Sequence, residues 1–341
     1  MLRFGQIGYG AWGRLHVESL KRLAEVELVA IACSSEATAG RARLENPGIE
    51  VYTDYRELLG RDDIEAVDVV VPTDLHVPIS IDALQAGKHV LMEKPMAATV
   101  EACDRLIEAK NSSGKVVSLV HEFRVSEQWG AVKTAIESGQ IGEPRYANVS
   151  LFRFPYRSGA EGWRYQEKRV GSWILEEPIH FYDLILWYFE GYGAPQSITA
   201  FATSKGAQRG MFDNFTSVLR FDGGQYAVVT QSLSGFEHHL VMEVAGSEGS
   251  IRSLWSGAMD RTDKPTFSVY LQKKGEDHPQ AIPISIPSGE RFELQELIRR
   301  TVKMMERGES FYSAEAERRL IRICLAAEQA VETGGELSLS L

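Results

Sequence analysis

Residues 3–23, RFGQIGYGAWGRLHVESLKRL, change character twice. A short apolar strand runs into Gly8-Tyr9-Gly10-Ala11-Trp12-Gly13, and Leu15, Ser19, Leu20 and Leu23 then recur at helical spacing. A G-x-G-x-x-G between strand and helix has a specific physical reading. The first glycine permits the tight turn, the second lets a pyrophosphate approach the backbone, and the third allows close helix–strand packing. The helix N-terminus then offers amide donors and its dipole to the phosphates. Glycine-rich turns also arise for structural reasons alone, so the surroundings decide.

Those surroundings alternate strand and helix. VELVAIAC (26–33), AVDVVVP (66–72), HVLMEK (89–94) and KVVSLVHEF (115–123) read as strands, with helices at PISIDALQAG (78–87) and VEACDRLIEAKNSSG (100–114) between them. Such alternation predicts right-handed βαβ units and a parallel sheet, and the near-continuous valines of 67–71 suit a strand covered on both faces. At the first βα turn of such a pattern, dinucleotide binding is the stronger reading of Gly8, Gly10 and Gly13 with the intervening Ala11 and Trp12. Beyond residue 123 the grammar changes. YANVSLFRFPY, SITAFATS, NFTSVLRF, GQYAVVTQSLS, HLVMEVAG, GSIRSLW and TFSVYLQKKG are short alternating strands, interrupted by a helix at 178–191 and closed by one at 314–335. The expected fold class is therefore α/β. A doubly wound Rossmann domain over 1–123 precedes an α+β domain over 124–341 with a large, mostly antiparallel open sheet.

Composition narrows the function classes. The 341 residues carry a net charge of −10 without a Lys/Arg block, so no basic footprint for nucleic acid or an anionic membrane is present. Three cysteines, Cys33, Cys103 and Cys324, lack C-x-x-C spacing, which speaks against disulfides or zinc and for a reducing, cytoplasmic setting. The chain enters a strand at once, leaving no room for a signal peptide, and no apolar run reaches a membrane span. Glu237, His238 and His239 invite a metal reading. Adjacent histidines on a strand point to opposite faces, however, and no third ligand is spaced to join them, so no metal is expected.

The stretch AGKHVLMEKP (86–95), preceded by VPTDLHVPISIDAL (71–84), resembles the Gfo/Idh/MocA oxidoreductase family, whose signature is a helix ending in A-G-K-H-V and a strand ending in E-K-P. The resemblance covers nearly the whole chain. It takes in the glycine turn, HEFR (121–124), GWR (162–164), the helix around His180 and the terminal ETGGELSL. It implies NAD(P) as cofactor, with Pro72, Thr73, His76, Glu93 and Lys94 joining the glycine turn around it. Lys94, at the C-terminal edge of the parallel sheet where ligands bind in such folds, is the implied catalytic group. In the second constellation the family carries an Asp, a Gly two residues on, a His four after that Asp, and a further Asp three beyond. This chain keeps His180 and Asp183 but has Glu176 and Pro178 in place of the first two. His180 carries over as acid/base candidate, because its unperturbed pKa suits proton transfer near neutrality. Glu176 is a third candidate, orienting the imidazole or binding substrate, and Asp183 is either functional or structural.

Arg124, Tyr156, Arg157, Trp163 and Arg164 are candidates for a substrate wall, since an aromatic–basic mixture suits a polyhydroxylated ring; a solvated loop or an inter-subunit contact explains them equally well. The resemblance implies hydride transfer between NAD(P) and a sugar, inositol or related polyol, in a homodimer or homotetramer joined through the open sheet. Two alternatives stand beside this reading. One is an enzyme that recycles a bound cofactor in redox-assisted elimination or glycoside cleavage; the other is a non-catalytic sugar- or dinucleotide-sensing regulator on the same fold. Cofactor choice rests on Cys33 and Ser34. NAD-preferring sites place an acid roughly 20 residues after the glycine turn, and here Cys33-Ser34-Ser35 occupies that place, with Arg41 and Arg43 nearby and Glu36 adjacent. The missing carboxylate leans the expectation slightly toward NADP.

Overall fold

The computed structural model describes residues 1–204, 210–235, 237–258, 262 and 264–340. The chain forms two compact units. The first gathers Met1–His121, Ala160–Gly171 and Leu294–Ile321, and the second gathers Glu122–Gly159, Ser172–Glu293 and Arg322–Leu341. The opening segment thus ends at His121, against the 123 expected from the change of pattern, and two later segments join it.

In the first unit, strands β1 (Leu2–Ile7), β2 (Val26–Ala32), β3 (Glu50–Tyr52), β4 (Ala66–Val69), β5 (His89–Met92) and β6 (Val117–Leu119) form one sheet in the order β3-β2-β1-β4-β5-β6. Every neighbouring pair is parallel. That order is the one of doubly wound dinucleotide-binding sheets, with its reversal beside β1. Helices α1 (Ala11–Lys21), α2 (Glu36–Glu45), α3 (Tyr55–Leu59), α4 (Thr73–Gln85) and α5 (Val100–Ser113) make the crossovers. The apolar runs are buried as continuous strands should be: Ala66, Val67 and Val69 in β4 and Val90, Leu91 and Met92 in β5 are fully covered.

Helix α4 departs from the sequence pattern. Pro78 reads as a first-turn proline, yet the helix begins at Thr73 with Pro78 inside it. An interior proline forfeits one backbone bond. The turn ahead of it is held by tertiary contacts instead, since the buried His76 ring lies 2.8 Å from the Val71 carbonyl and 2.7 Å from that of Pro95.

The second unit holds a nine-stranded sheet built from β7 (Pro144–Phe152), β8 (Pro195–Thr203), β9 (Asn214–Phe221), β10 (Tyr226–Ser232), β11 (His238–Gly246), β12 (Gly249–Gly257), β13 (Thr266–Lys273), β14 (Gln280–Ile282) and β15 (Leu337–Ser338). Its order is β14-β13-β12-β11-β7-β10-β9-β8-β15, antiparallel except at β7–β10. Register aligns the apolar positions on one face: Ala147 faces Val244, Val149 faces Met242 and Leu151 faces Leu240, all buried. Helices α6 (Glu127–Glu137) and α9 (Pro178–Tyr188) pack against strands of that sheet. The remaining helices are α7 (Glu167–Val170), α8 (Trp173–Glu176), α10 (Glu290–Met305) and α11 (Ala314–Thr333).

Candidate active site

The glycine turn is shaped as its sequence requires. Gly8 has φ of +101°, and a Cβ there would stand 2.0 Å from the Val70 carbonyl oxygen; a Cβ on Gly13 would stand 2.3 Å from that of Gly8. Both positions therefore exclude side chains for packing reasons. Gly10 is different, because a Cβ at that residue meets nothing within 4 Å. It is also the N-cap of α1 and supplies no side-chain cap to the first-turn amides of that helix. A glycine without a packing need, beside an uncapped helix N-terminus, fits a pyrophosphate. The residues that would hold NAD(P) in this unit thus match its chemistry.

Lys94 follows β5 and is half-buried, while Glu93, Pro95 and Met96 around it are buried. The backbone on both sides of the lysine is fastened. Glu93 Oε2 accepts the Lys94 amide at 3.2 Å, the Pro95 carbonyl lies 2.7 Å from His76 Nδ1, and the Met96 amide donates to Glu317 Oε1 at 3.1 Å. Glu317 is itself fully buried and also meets His121 Nε2 at 2.6 Å. The Lys94–Pro95 peptide is cis. Pro72 is the N-cap of α4, and Thr73 in its first turn is buried with His76.

At the end of β2 the Cys33 thiol is buried, and burial pushes its pKa up to about 11. Ser34 is exposed, whereas Ser35 caps α2 by accepting the Thr38 amide at 3.3 Å. Arg43 pairs with Glu36 at 3.1 Å, and Arg41 is exposed. No carboxylate stands at the strand end itself; Glu36 lies in the first turn of the helix that follows.

The second unit holds the other group of candidates. Pro178 occupies the first turn of α9 with Glu177 as N-cap, as its missing N–H permits. Glu176 ends α8 and is buried; His180 is buried in the first turn of α9. His180 Nε2 stands 3.8 Å from Glu122 Oε1, and the ring lies 5.0 Å from that of Phe123. Asp183 is almost fully buried and grips Arg124 bidentately, with Nε to Oδ2 and Nη2 to Oδ1 both 2.8 Å. The Arg124 guanidinium also lies over the Trp187 ring at 5.1 Å. Tyr156 is buried and donates to Gln231 Oε1 at 2.8 Å, with the Arg153 guanidinium over its ring. Arg157 is exposed, and Trp163 and Arg164 stack on one another at 4.8 Å in a short 3-10 segment of the first unit. A cavity of about 40 Å³ lined by Phe123, Trp129, Phe181, His238 and Trp255 has room for water but not for a sugar. His238 and His239 point to opposite faces: one meets Trp255 edge-on, the other stacks on Phe152. Among the described residues no group of three or more His, Cys, Asp or Glu is arranged to hold a metal ion, and no helix is long and apolar enough to cross a membrane.

Four buried ionisable residues beside these candidates escaped the sequence reading. His16 and Asp68 in the first unit are fully buried and 2.7 Å apart, with Glu93 2.9 Å beyond the imidazole. In the second unit Glu122 accompanies His180, and burial pushes Glu293 up to about 8 against the pull of bonds from Ser126 and Ser288, with the charge of Glu122 adding to the rise. One signal for the first pair was available: Asp68 interrupts an otherwise apolar strand run, and a carboxylate so placed demands a partner.

Comparison with known proteins agrees with this geometry. Residues 2–121 match the family described as the oxidoreductase family with an NAD-binding Rossmann fold, and residues 129–252 match the GFO/IDH/MocA C-terminal domain. The chain is 29% identical over 276 residues to a 1,5-anhydro-D-fructose reductase of Ensifer adhaerens, with 80% of each chain covered. It is 28% identical over 252 residues to an inositol 2-dehydrogenase of Rubrobacter xylanophilus, covering 73% of this chain and 70% of that one. A probable dehydrogenase from Thermotoga maritima shares the fold, with a TM-score of 0.81, 24% identity, and coverage of 99% of this chain and 98% of the other. The glycine turn, the clamped Glu-Lys-Pro and the two matched domains together show that the chain belongs to the Gfo/Idh/MocA oxidoreductase family.

Proposed function

We propose that the protein transfers hydride between NAD(P) and a carbinol carbon of a sugar, inositol or related polyol. The observation that carries this reading is Lys94, half-buried at the C-terminal edge of the parallel sheet with the chain fastened on both sides of it. The names of the two relatives, a 1,5-anhydro-D-fructose reductase and an inositol 2-dehydrogenase, support the substrate class. The nicotinamide, when bound, accepts or supplies the hydride. Lys94 Nζ is assigned to the reacting oxygen: as ammonium it donates a proton when a carbonyl is reduced, and as amine it takes the hydroxyl proton when an alcohol is oxidised. His180 is assigned the second proton-transfer role, with the Glu122 carboxylate 3.8 Å from its Nε2. Glu176 is assigned to orienting substrate or imidazole. Arg124 acts through its bidentate hold on Asp183 rather than as a free cation.

Use of NADP at least as efficient as of NAD is the cofactor reading, supported by the absence of a carboxylate at Cys33 and the exposed Ser34 and Arg41. The experiment is a panel of sugars and polyols with each dinucleotide, following nicotinamide absorbance. Net turnover supports a dehydrogenase, and kcat/KM for the two cofactors decides preference. A spectral change without net turnover points instead to a recycled cofactor, and binding without any spectral change to a sensor.

A further inference from the structure

Helix α1 opens without a side-chain cap: Gly10 is its N-cap, and Ala11 and Trp12 are its first two residues. Helix ends that lack a cap fray readily, yet this is the turn whose amides a pyrophosphate uses. Something other than a cap has to keep it formed.

The Trp12 side chain supplies a tie. Its indole N–H donates to Glu93 Oε1 at 2.9 Å and so links the first turn of α1 to the residue that follows β5. Glu93 is buried, and a buried carboxylate must itself be held. Its Oε2 accepts the Lys94 amide, and its Oε1 also lies 2.9 Å from His16 Nε2. Trp12 and His16 stand four residues apart on α1, on one face of the helix, which is how both reach a single oxygen. His16 is fully buried, and its Nδ1 stands 2.7 Å from Oδ2 of Asp68, itself fully buried in β4. Ionised carboxylate oxygens accept and do not donate, so satisfying both requires the two ring nitrogens to donate. Burial opposes that charge, but the two carboxylates outweigh it and raise the imidazole to about 10. Without the imidazolium, Glu93 loses a charged partner inside the protein, and a carboxylate so left reorients or takes up a proton. In either event the indole loses a fixed, ionised acceptor.

We propose that His16 is a positioning residue for the dinucleotide: held by Asp68, it fixes Glu93 as the acceptor of the Trp12 indole, and this tie stands in for the missing cap in keeping the phosphate-binding turn formed before the cofactor arrives. A turn already formed needs no ordering on binding, so the device acts on affinity. The proposal rests on the reading of the glycine turn as the dinucleotide site.

The test measures dinucleotide binding to the full chain by titration calorimetry, without substrate, for His16→Gln, Trp12→Phe and the two combined. Trp12→Phe keeps a ring at a half-buried position and removes the N–H, so it carries the experiment should His16→Gln prove unfolded by circular dichroism. Each single change is expected to weaken binding of the preferred dinucleotide by about tenfold. The double variant is expected to stay within about twofold of the weaker single, because both changes cut the same tie. A second readout is the Trp12 indole N–H signal by NMR of the cofactor-free protein, assigned among the six tryptophans by its loss in Trp12→Phe. His16→Gln should move it upfield as its charge-assisted hydrogen bond weakens, whereas a histidine that only fills space would leave it in place. Affinity of Trp12→Phe within about twofold of the parent overturns the proposal, as do effects that multiply in the double variant or an unmoved indole signal. Gly10→Val separates the two possible failures. If it binds dinucleotide as the parent does, the glycine turn is not the phosphate site and both readings fall; if Gly10→Val alone is weakened, only the positioning role fails.

Discussion

Lys94 shows how much a single residue can be constrained by neighbours that do no chemistry. The Glu93 carboxylate takes the Trp12 indole, the His16 ring and the Lys94 amide, while the Pro95 carbonyl and the Met96 amide are held by His76 and Glu317. On the function proposed above, the Lys94 amine acts at the reacting centre. Lys94→Ala should therefore lower turnover by at least ~100-fold, the low end for loss of an acid–base group, while dinucleotide affinity by fluorescence titration changes little. Near-normal turnover would remove the assignment. His180→Ala should act similarly and flatten one limb of the pH–rate profile; an unaltered profile would leave His180 a packing residue. The place of Lys94 directly after β5 was legible because a strand-like run leads straight into Glu93-Lys94-Pro95. His16 and Asp68 were not, because a histidine on an amphipathic helix and an aspartate in a valine run look like isolated features until the fold brings them within hydrogen-bonding distance. Arg124 and Asp183, similarly, are separated in sequence by 59 positions, and only the folded chain shows that each occupies the other.

At the scale of elements, α1 carries a clear test of its glycines. Gly8 and Gly13 are fixed by packing, but Gly10 is not. Gly10→Val should leave the thermal midpoint nearly unchanged while weakening dinucleotide binding by at least about tenfold, because the branched side chain fills the space a pyrophosphate needs. Unaltered affinity by titration calorimetry would show that the phosphate is held elsewhere. Helix α10 offers a test of stability. Glu293 near its start is buried, has one carboxyl oxygen without a hydrogen-bond partner, and is raised from 4.5 to about 8. Between those values the native state binds the proton more tightly than the unfolded chain, so this group costs stability as pH rises from about 4.5 to 8, and the cost levels off above. Glu293→Gln should therefore lose less stability than the parent between pH 5 and pH 8 by urea denaturation. An equal loss in both proteins would show that Glu293 titrates normally. Element boundaries were legible where chemistry marks them, as at Pro178 opening α9. They were hidden at α4, where Pro78 imitates a helix start and the actual first turn is held by the contacts of His76.

For the molecule as a whole, the alternation of strands and helices made the parallel sheet readable, and the run of short alternating strands did the same for the antiparallel one. The return of residues 160–171 and 294–321 to the first unit had no such signal, because nothing in periodicity records which sheet a later segment joins. The nine-stranded sheet has one face formed by buried apolar rows, whereas Phe152, Phe201 and Tyr226 are exposed and Val228 and Val241 half-buried on other positions of the same strands. Apolar side chains left open on a broad sheet favour association, and we predict a homodimer or homotetramer. A monomeric mass by light scattering at micromolar concentration would contradict this. Hydride passage between the nicotinamide and a carbinol carbon of a sugar or polyol, as proposed above, is open to direct measurement with a substrate deuterated at that carbon, by asking where the label goes. Direct transfer requires mass spectrometry to find one deuterium in the reduced nicotinamide, in amounts matching the ketone formed, with both suppressed together in Lys94→Ala. Product formed without net reduced cofactor, or reduced cofactor free of deuterium, would contradict it.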